Sequence, residues 1–247
     1  MLLTTKTLEN SMSTQLQNLN LKYLKDIENA VNSSLERIRL HPFIVKGYSK
    51  DLTQEQVIRW ILCAGRESKS FPKIIENMIE QTDNPSVAKI LQENLNDEYG
   101  NGNPEHAHFM HYLHLLDNIK VNRQVFDDYQ EKVGIKLALS LAYNISTQES
   151  QGVALGYMLV NEGMTCITYS SVKSAFAPYY PDIKTPFFDI HIEVDEHHVD
   201  ELYKAAKHIG EVHLSDILFG VSIGERGMAV LLDEALGIFD HYSEIPS

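Results

Sequence analysis

The chain is 247 residues long, 43% hydrophobic and 22% charged, with a formal net charge of -13. That is enough apolar sequence for one substantial core. The negative balance argues against a nucleic-acid partner, because phosphate binding needs clustered Lys and Arg. No stretch reaches about 18 consecutive apolar residues, so no membrane span is expected.

The elements read as helix after helix. Residues 1–14 have too short an apolar run and too few basic residues for a secretory signal, and are expected as a disordered leader ahead of one helical domain over 15–247. Leu16, Leu19, Tyr23, Leu24, Ile27, Val31, Leu35 and Ile38 recur at three-to-four spacing, which predicts a first long helix ending near His41-Pro42. Thr53, with Gln56 three residues on, has the pattern of a capping box opening a second helix through Trp60 and Phe71 towards Ile79, with Pro72 as a candidate kink. A third helix covers Val87 to Glu98 and stops at the turn YGNGNPE. Pro104 suits the first turn of the next helix, which carries His106, His108, His111 and His114. Further helices are expected over about Arg123 to Ser146, Gln148 to Ala175, from Pro186 onward, and Val212 to Tyr242. No segment has a strand period, so the expected class is an all-α bundle, with metal sites available between facing helices.

The richest constellation is FFDIHIEVDEHH, in which His191, Asp195 and His198 form H-x3-D-x2-H. At about 100° per residue, one helix would place all three on one face. Two imidazoles and a carboxylate there make most of a first-row metal site. The alternative is a solvated polar face, which the flanking Phe187, Phe188, Ile190, Ile192 and Val194 weaken, since inward polar groups need partners. Glu98 closes one helix and His108, ten residues later, opens the next. His106 competes for the same role, and His111 and His114 extend the row. Glu162 is a carboxylate inside a long apolar helix, where an unpaired acid is costly. Glu67 reads as a salt bridge to Arg66 or Lys69, or as an extra ligand. Phe109, Met110, Met158, Phe187, Phe188 and Tyr169 lie near these residues in sequence and are expected as core or as apolar walls.

Oxygen and nitrogen donors without thiolate suit iron or manganese better than structural zinc. Six donors exceed what one metal needs, so a pair of metals bridged by a carboxylate is the economical arrangement. Cys63 and Cys166 lie far apart, fit no zinc spacing, and are expected as buried thiols in a reduced cytoplasm.

These residues carry a resemblance. Asn94-Leu95-Asn96-Asp97-Glu98-Tyr99-Gly100, followed by His108, Glu162 and then His191, Asp195 and His198, resembles the heme-oxygenase-like diiron oxidases and oxygenases. His41-Pro42-Phe43 followed by DLTQEQ is similar to the wider thiaminase-II and pyrroloquinoline-quinone-synthase-like fold, and the resemblance spans roughly residues 35 to 240. It implies a bundle of seven to eight helices. It implies two irons held by Glu98, His108, Glu162, His191, Asp195 and His198, with Glu98 or Glu162 bridging and a manganese-iron pair as the open variant. It implies O2 as cosubstrate, an external reductant where the reaction needs one, and a small organic substrate such as an amino acid or related acid. The reactions implied are N-oxygenation, oxidative decarboxylation, or fragmentation of side chains. A carboxylate substrate would want a cation, for which Arg66, Lys69 and Lys173 are candidates. A homodimer is compatible with the fold. Two alternatives stand beside this reading: a metal-free enzyme on the same bundle, and a non-enzymatic metal-binding or interaction protein.

Overall fold

The computed structural model describes residues 5–193 and 195–243, with side chains described over 22–192 and 197–240. Within them there are eleven α-helices and three short 3-10 turns, and no strand. The helices are α1 (Thr5–Arg39), α2 (Pro42–Ser49), α3 (Gln54–Gln81), α4 (Pro85–Glu98), α5 (His108–Asn118) and α6 (Arg123–Asp127). They continue as α7 (Val133–Gln148), α8 (Gln151–Phe176), α9 (Pro186–Glu193), α10 (Asp195–Ile209) and α11 (Leu214–Leu236). The expected leader overlaps α1, which is described from Thr5; residues 1–4 lie outside the described residues.

The capping box at Thr53 forms: its hydroxyl accepts from Gln56 N, and the Gln56 side chain accepts from Thr53 N at 3.0 Å. From there α3 runs through Pro72 to Gln81. α8 is the central element, buried over most of its length and apolar on all sides, as a helix packed from every direction must be. Its closest neighbour is α11. A Cβ on Gly156 would sit 2.0 Å from Ile217 O, and one on Gly220 would sit 2.1 Å from Val153 O, so only glycine lets the two backbones come this close. α1 is tied to α11 by Arg37, whose guanidinium donates to both oxygens of Glu225 at 2.6 to 3.0 Å.

The helix count exceeds the seven to eight expected, for identifiable reasons. α2 is a separate short helix, capped by His41 and started by Pro42. The segment expected as one helix from Arg123 divides into α6 and α7. Arg66 donates to the carbonyls of Phe126, Asp127 and Tyr129 where α6 ends, and the Glu234 carboxylate accepts from Lys132 N and Ile135 N where α7 begins. Both ends are thus satisfied by side chains distant in sequence. In the H-x3-D-x2-H segment, His191 lies on α9 and Asp195 and His198 on α10, the two labels being parted by residue 194, which lies outside the described residues.

Candidate metal centre

Glu98 and His108 meet because the chain turns sharply between α4 and α5. Gly100 has φ 75°, and a Cβ there would lie 2.3 Å from Asn103 O and 2.6 Å from Ala107 N. Asn103 then caps the 3-10 turn that leads into α5. Both site side chains are buried. His108 Nδ1 lies 2.9 Å from Glu98 Oε1, yet at an angle that leaves the nitrogen without an aligned hydrogen bond. Burial pulls the His108 pKa down, but the neighbouring Glu98 carboxylate outweighs it and the net shift is upward.

Glu162 and His198 form a second pair. Glu162, on α8, accepts a 2.8 Å hydrogen bond from Asn94 Nδ2, and its other oxygen lies 3.7 Å from His198 Nδ1. His198 Nε2 faces Asp97 Oδ2 at 3.0 Å. A carboxylate only accepts, so Nε2 carries the hydrogen and, in the neutral ring, Nδ1 presents its lone pair towards Glu162. Two acceptors then face one another, an arrangement that calls for a proton or a cation between them. Asp97 escaped the sequence reading. Burial raises its carboxyl, but hydrogen bonds from His198 and Asn101 win and hold it below its ordinary value.

His191 is oriented in the same manner. Its Nδ1 lies 2.7 Å from the Phe187 carbonyl, which fixes the hydrogen on Nδ1 and the lone pair on Nε2. The ring stacks on Tyr169 with centroids 4.5 Å apart and meets the His108 ring edge-on at 4.7 Å. Burial, then the proximity of His108, push its pKa down to about 3, so it is neutral at any ordinary pH. Asp195 lies on α10, but its side chain lies outside the described residues.

The donor pairs suit a first-row cation. Two donors at about 2.1 Å from one metal lie about 3.0 to 3.6 Å apart for angles of 90 to 120°, and the pairs here are separated by 2.9 and 3.7 Å. A ligating histidine has its second nitrogen partnered, as His191 and His198 do here through the Phe187 carbonyl and Asp97. Among the described side chains, no group of three or more His, Cys, Asp and Glu closes on a single point. The donors are thus assembled as pairs, with Asp195 not among those compared.

A cleft reaches Glu98, Glu162 and His191. Trp60, Phe71, Tyr157 and Met228 supply much of its apolar wall. Of the expected walls, Phe187, Phe188 and Met158 are fully buried, and Tyr169 lines the cleft.

Several expectations are corrected. Glu67 is not salt-bridged to Arg66 or Lys69; it lines the cleft, where burial pushes its carboxyl up to about 7. Arg66 instead binds the carbonyls at the end of α6 and lies 3.5 Å from Glu131, and Lys69 lies over the Phe126 ring. Lys173 pairs with Asp189. His106 and His114 are exposed and His111 half-buried, a surface row with ring centroids 6.5 Å apart. Of the two free cysteines, Cys63 is buried but Cys166 is only partly so.

A family model described as iron-containing redox enzyme matches residues 67–224, and the chain belongs to that family. No curated protein matches the sequence. Solved structures share the fold. A domain of unknown function with a heme oxygenase-like fold from Shewanella denitrificans gives TM-score 0.73 at 16% identity, covering 91% of this chain and 96% of that one. A TenA homolog from Pseudomonas syringae pv. tomato gives 0.71 at 14%, covering 87% and 93%. A CADD-like protein of unknown function from Nostoc punctiforme gives 0.70 at 15%, covering 85% and 97%. The architecture is therefore the heme-oxygenase-like all-α bundle that the sequence resembles. No described helix is long and apolar enough to cross a membrane.

Proposed function

We propose that the protein is a nonheme diiron oxidase or oxygenase that acts on a small organic substrate held in the cleft beside Glu98, Glu162 and His191. The observation that carries this reading is the pair of buried carboxylate–imidazole couples, Glu98 with His108 and Glu162 with His198, bordering that cleft. His191 and Asp195 complete the donor set of the proposal. When bound, two ferrous ions would supply the activation of O2.

The protein's own part is positional. The Phe187 carbonyl and Tyr169 hold His191 with its Nε2 lone pair exposed to a ligand. Asp97 fixes the tautomer of His198, and Asn94 holds one oxygen of Glu162. Phe187 and Phe188 seal the back of α9 against water, which limits loss of reactive species to solvent. N-oxygenation, oxidative decarboxylation and side-chain fragmentation are the reaction classes proposed, with amino acids as the first compounds to screen.

The metal-free alternative has the same fold in its favour, since one of the similar structures is a TenA homolog. A covalent reaction without metal needs an activated nucleophile. Among the described residues lining the cleft there is no cysteine, and Cys63 is held against Tyr129 and Glu234, where burial pushes its thiol well above the usual range. The test is anaerobic loading with Fe(II), then exposure to O2 with and without candidate substrates. An O2-dependent optical change coupled to O2 uptake is expected. Turnover of substrate by protein stripped of metal would overturn the proposal.

A further inference from the structure

We infer that the substrate is an amine, and that the Glu67 carboxylate is the anchor for its ammonium group. The inference rests on the reading of the cleft as the reaction site and goes beyond it by naming the chemistry of the substrate.

Glu67 lies on α3 and lines the cleft between Trp60 and Phe71. No described residue gives it a hydrogen bond or an ion pair, and no charged neighbour perturbs it; burial alone acts on it. Glu67 is half-buried, so its carboxyl is open to whatever occupies the cleft. Every other carboxylate in the region has a partner: Glu98 has His108, Glu162 has Asn94 and His198, and Asp97 has His198 and Asn101. Glu67 stands apart from them, opening onto empty space.

The cleft's charge is one-sided. Of the carboxyls that line it, Glu98 and Glu162 are committed to the proposed metals, which leaves Glu67 for a substrate, and among the described lining residues there is no Lys or Arg. The cations that a carboxylate substrate would use are committed elsewhere. Arg66 binds three backbone carbonyls, Lys69 sits over Phe126, and Lys173 pairs with Asp189. A free carboxylate arriving beside Glu67 would meet another carboxyl and no Lys or Arg among the described lining residues. An ammonium group supplies the missing partner, and a charge pair is strengthened in a site poor in water. The aromatic surroundings act in the same direction. Trp60 and Tyr169 line the cleft and pack edge-to-face with centroids 5.0 Å apart, and Phe71 lies one helical turn beyond Glu67. Aromatic faces attract a cation, and they cover the apolar body of an amine.

The experiment uses the metal-loaded protein, anaerobic and free of O2, with matched probes: hexylamine, hexan-1-ol and hexanoate, and 2-phenylethylamine, 2-phenylethanol and phenylacetate. Calorimetry measures binding to the parent, Glu67→Gln and Glu67→Asp, with metal content determined on the same samples. In the parent the amine of each set is expected to bind at least about tenfold more tightly than its alcohol and carboxylate, the size of one charge-assisted hydrogen bond. The preference should vanish in Glu67→Gln and return in part in Glu67→Asp, with metal content unchanged. Equal or tighter binding of the carboxylates by the parent overturns the inference, whatever the variants do. So does an amine preference that survives Glu67→Gln, or loss of metal in that variant, which would make Glu67 a ligand. A parent that holds no iron defeats the diiron reading, whereas two irons without amine preference defeats only the present inference.

Discussion

Replacing Asp97 tests whether His198 is held for ligation by a partner outside the metal's own donors. The Asp97 carboxylate accepts from His198 Nε2 at 3.0 Å and is itself held by Asn101. Removing it in Asp97→Ala frees the ring to rotate and lowers the basicity of Nδ1. Such partners typically contribute about 10- to 100-fold to metal affinity, or about 1.4 to 2.7 kcal/mol. Asp97 is partly exposed, so water replaces some of the lost interaction and the expected loss is about tenfold, the low end of that range. Asp97→Asn keeps an acceptor oxygen but not its charge. A hydrogen bond to a neutral rather than a charged acceptor is weaker by about 1 kcal/mol, so the loss there is about fivefold. The assay is anaerobic competition between protein and a chelator for Fe(II), with thermal unfolding of the metal-free proteins as the control for folding. Parent-like iron affinity in Asp97→Ala would refute the role assigned to this pair.

Other consequences are open to direct measurement. Glu234, fully buried, accepts from Tyr129 Oη and Ile135 N at 2.7 Å each and from Lys132 N at 3.3 Å. Glu234→Ala strands these donors and should cost about 3 to 5 kcal/mol in urea unfolding; a loss below about 1 kcal/mol would contradict it. His41 accepts from Phe43 N through Nδ1 and lies 3.2 Å from Asp233 through Nε2, roles that one neutral tautomer fills. Burial lowers its pKa against the pull of Asp233. The unfolded chain therefore takes up the proton first, and this contribution to stability is full above about pH 6.5 and is lost as pH falls from there through the folded pKa. His41→Asn should lose less stability than the parent between about pH 7 and pH 5; parallel curves would exclude the effect. Gly100→Ala places a Cβ 2.3 Å from Asn103 O at a backbone φ of 75°. It should shift His108 away from Glu98 and lower bound iron while leaving the protein folded, a pattern read by metal analysis alongside circular dichroism.

What the sequence disclosed depended on how local each feature is. The capping box at Thr53, the turn at Gly100 and the apolar run of α8 are local patterns, and each stands in the structure where the pattern puts it. The α6–α7 division was hidden because residues 127 to 132 contain neither Gly nor Pro. The break is supported by Arg66 and Glu234, from α3 and α11. Asp97 looked like one more surface acid beside Glu98, and its partner His198 lies 101 residues away. Glu67 was read as a salt bridge because Arg66 and Lys69 are near it in sequence. Helix geometry sends them to Phe126 and the carbonyls around it, while Glu67 faces the cleft. Residues Glu98, His108, Glu162, His191 and His198 were legible as chemistry-bearing from the ten-residue gap between Glu98 and His108, the lone acid in an apolar helix and the H-x3-D-x2-H spacing, and all five are buried. Their pairing needed the fold.

The most direct measurement is iron per chain after anaerobic Fe(II) loading of the parent and of the His191→Ala/His198→Ala double variant. Two irons in the parent, falling to one or none in the variant while it remains folded, is the result predicted. One iron in the parent, or an iron count that the double substitution leaves unchanged, would contradict a diiron centre built from these residues.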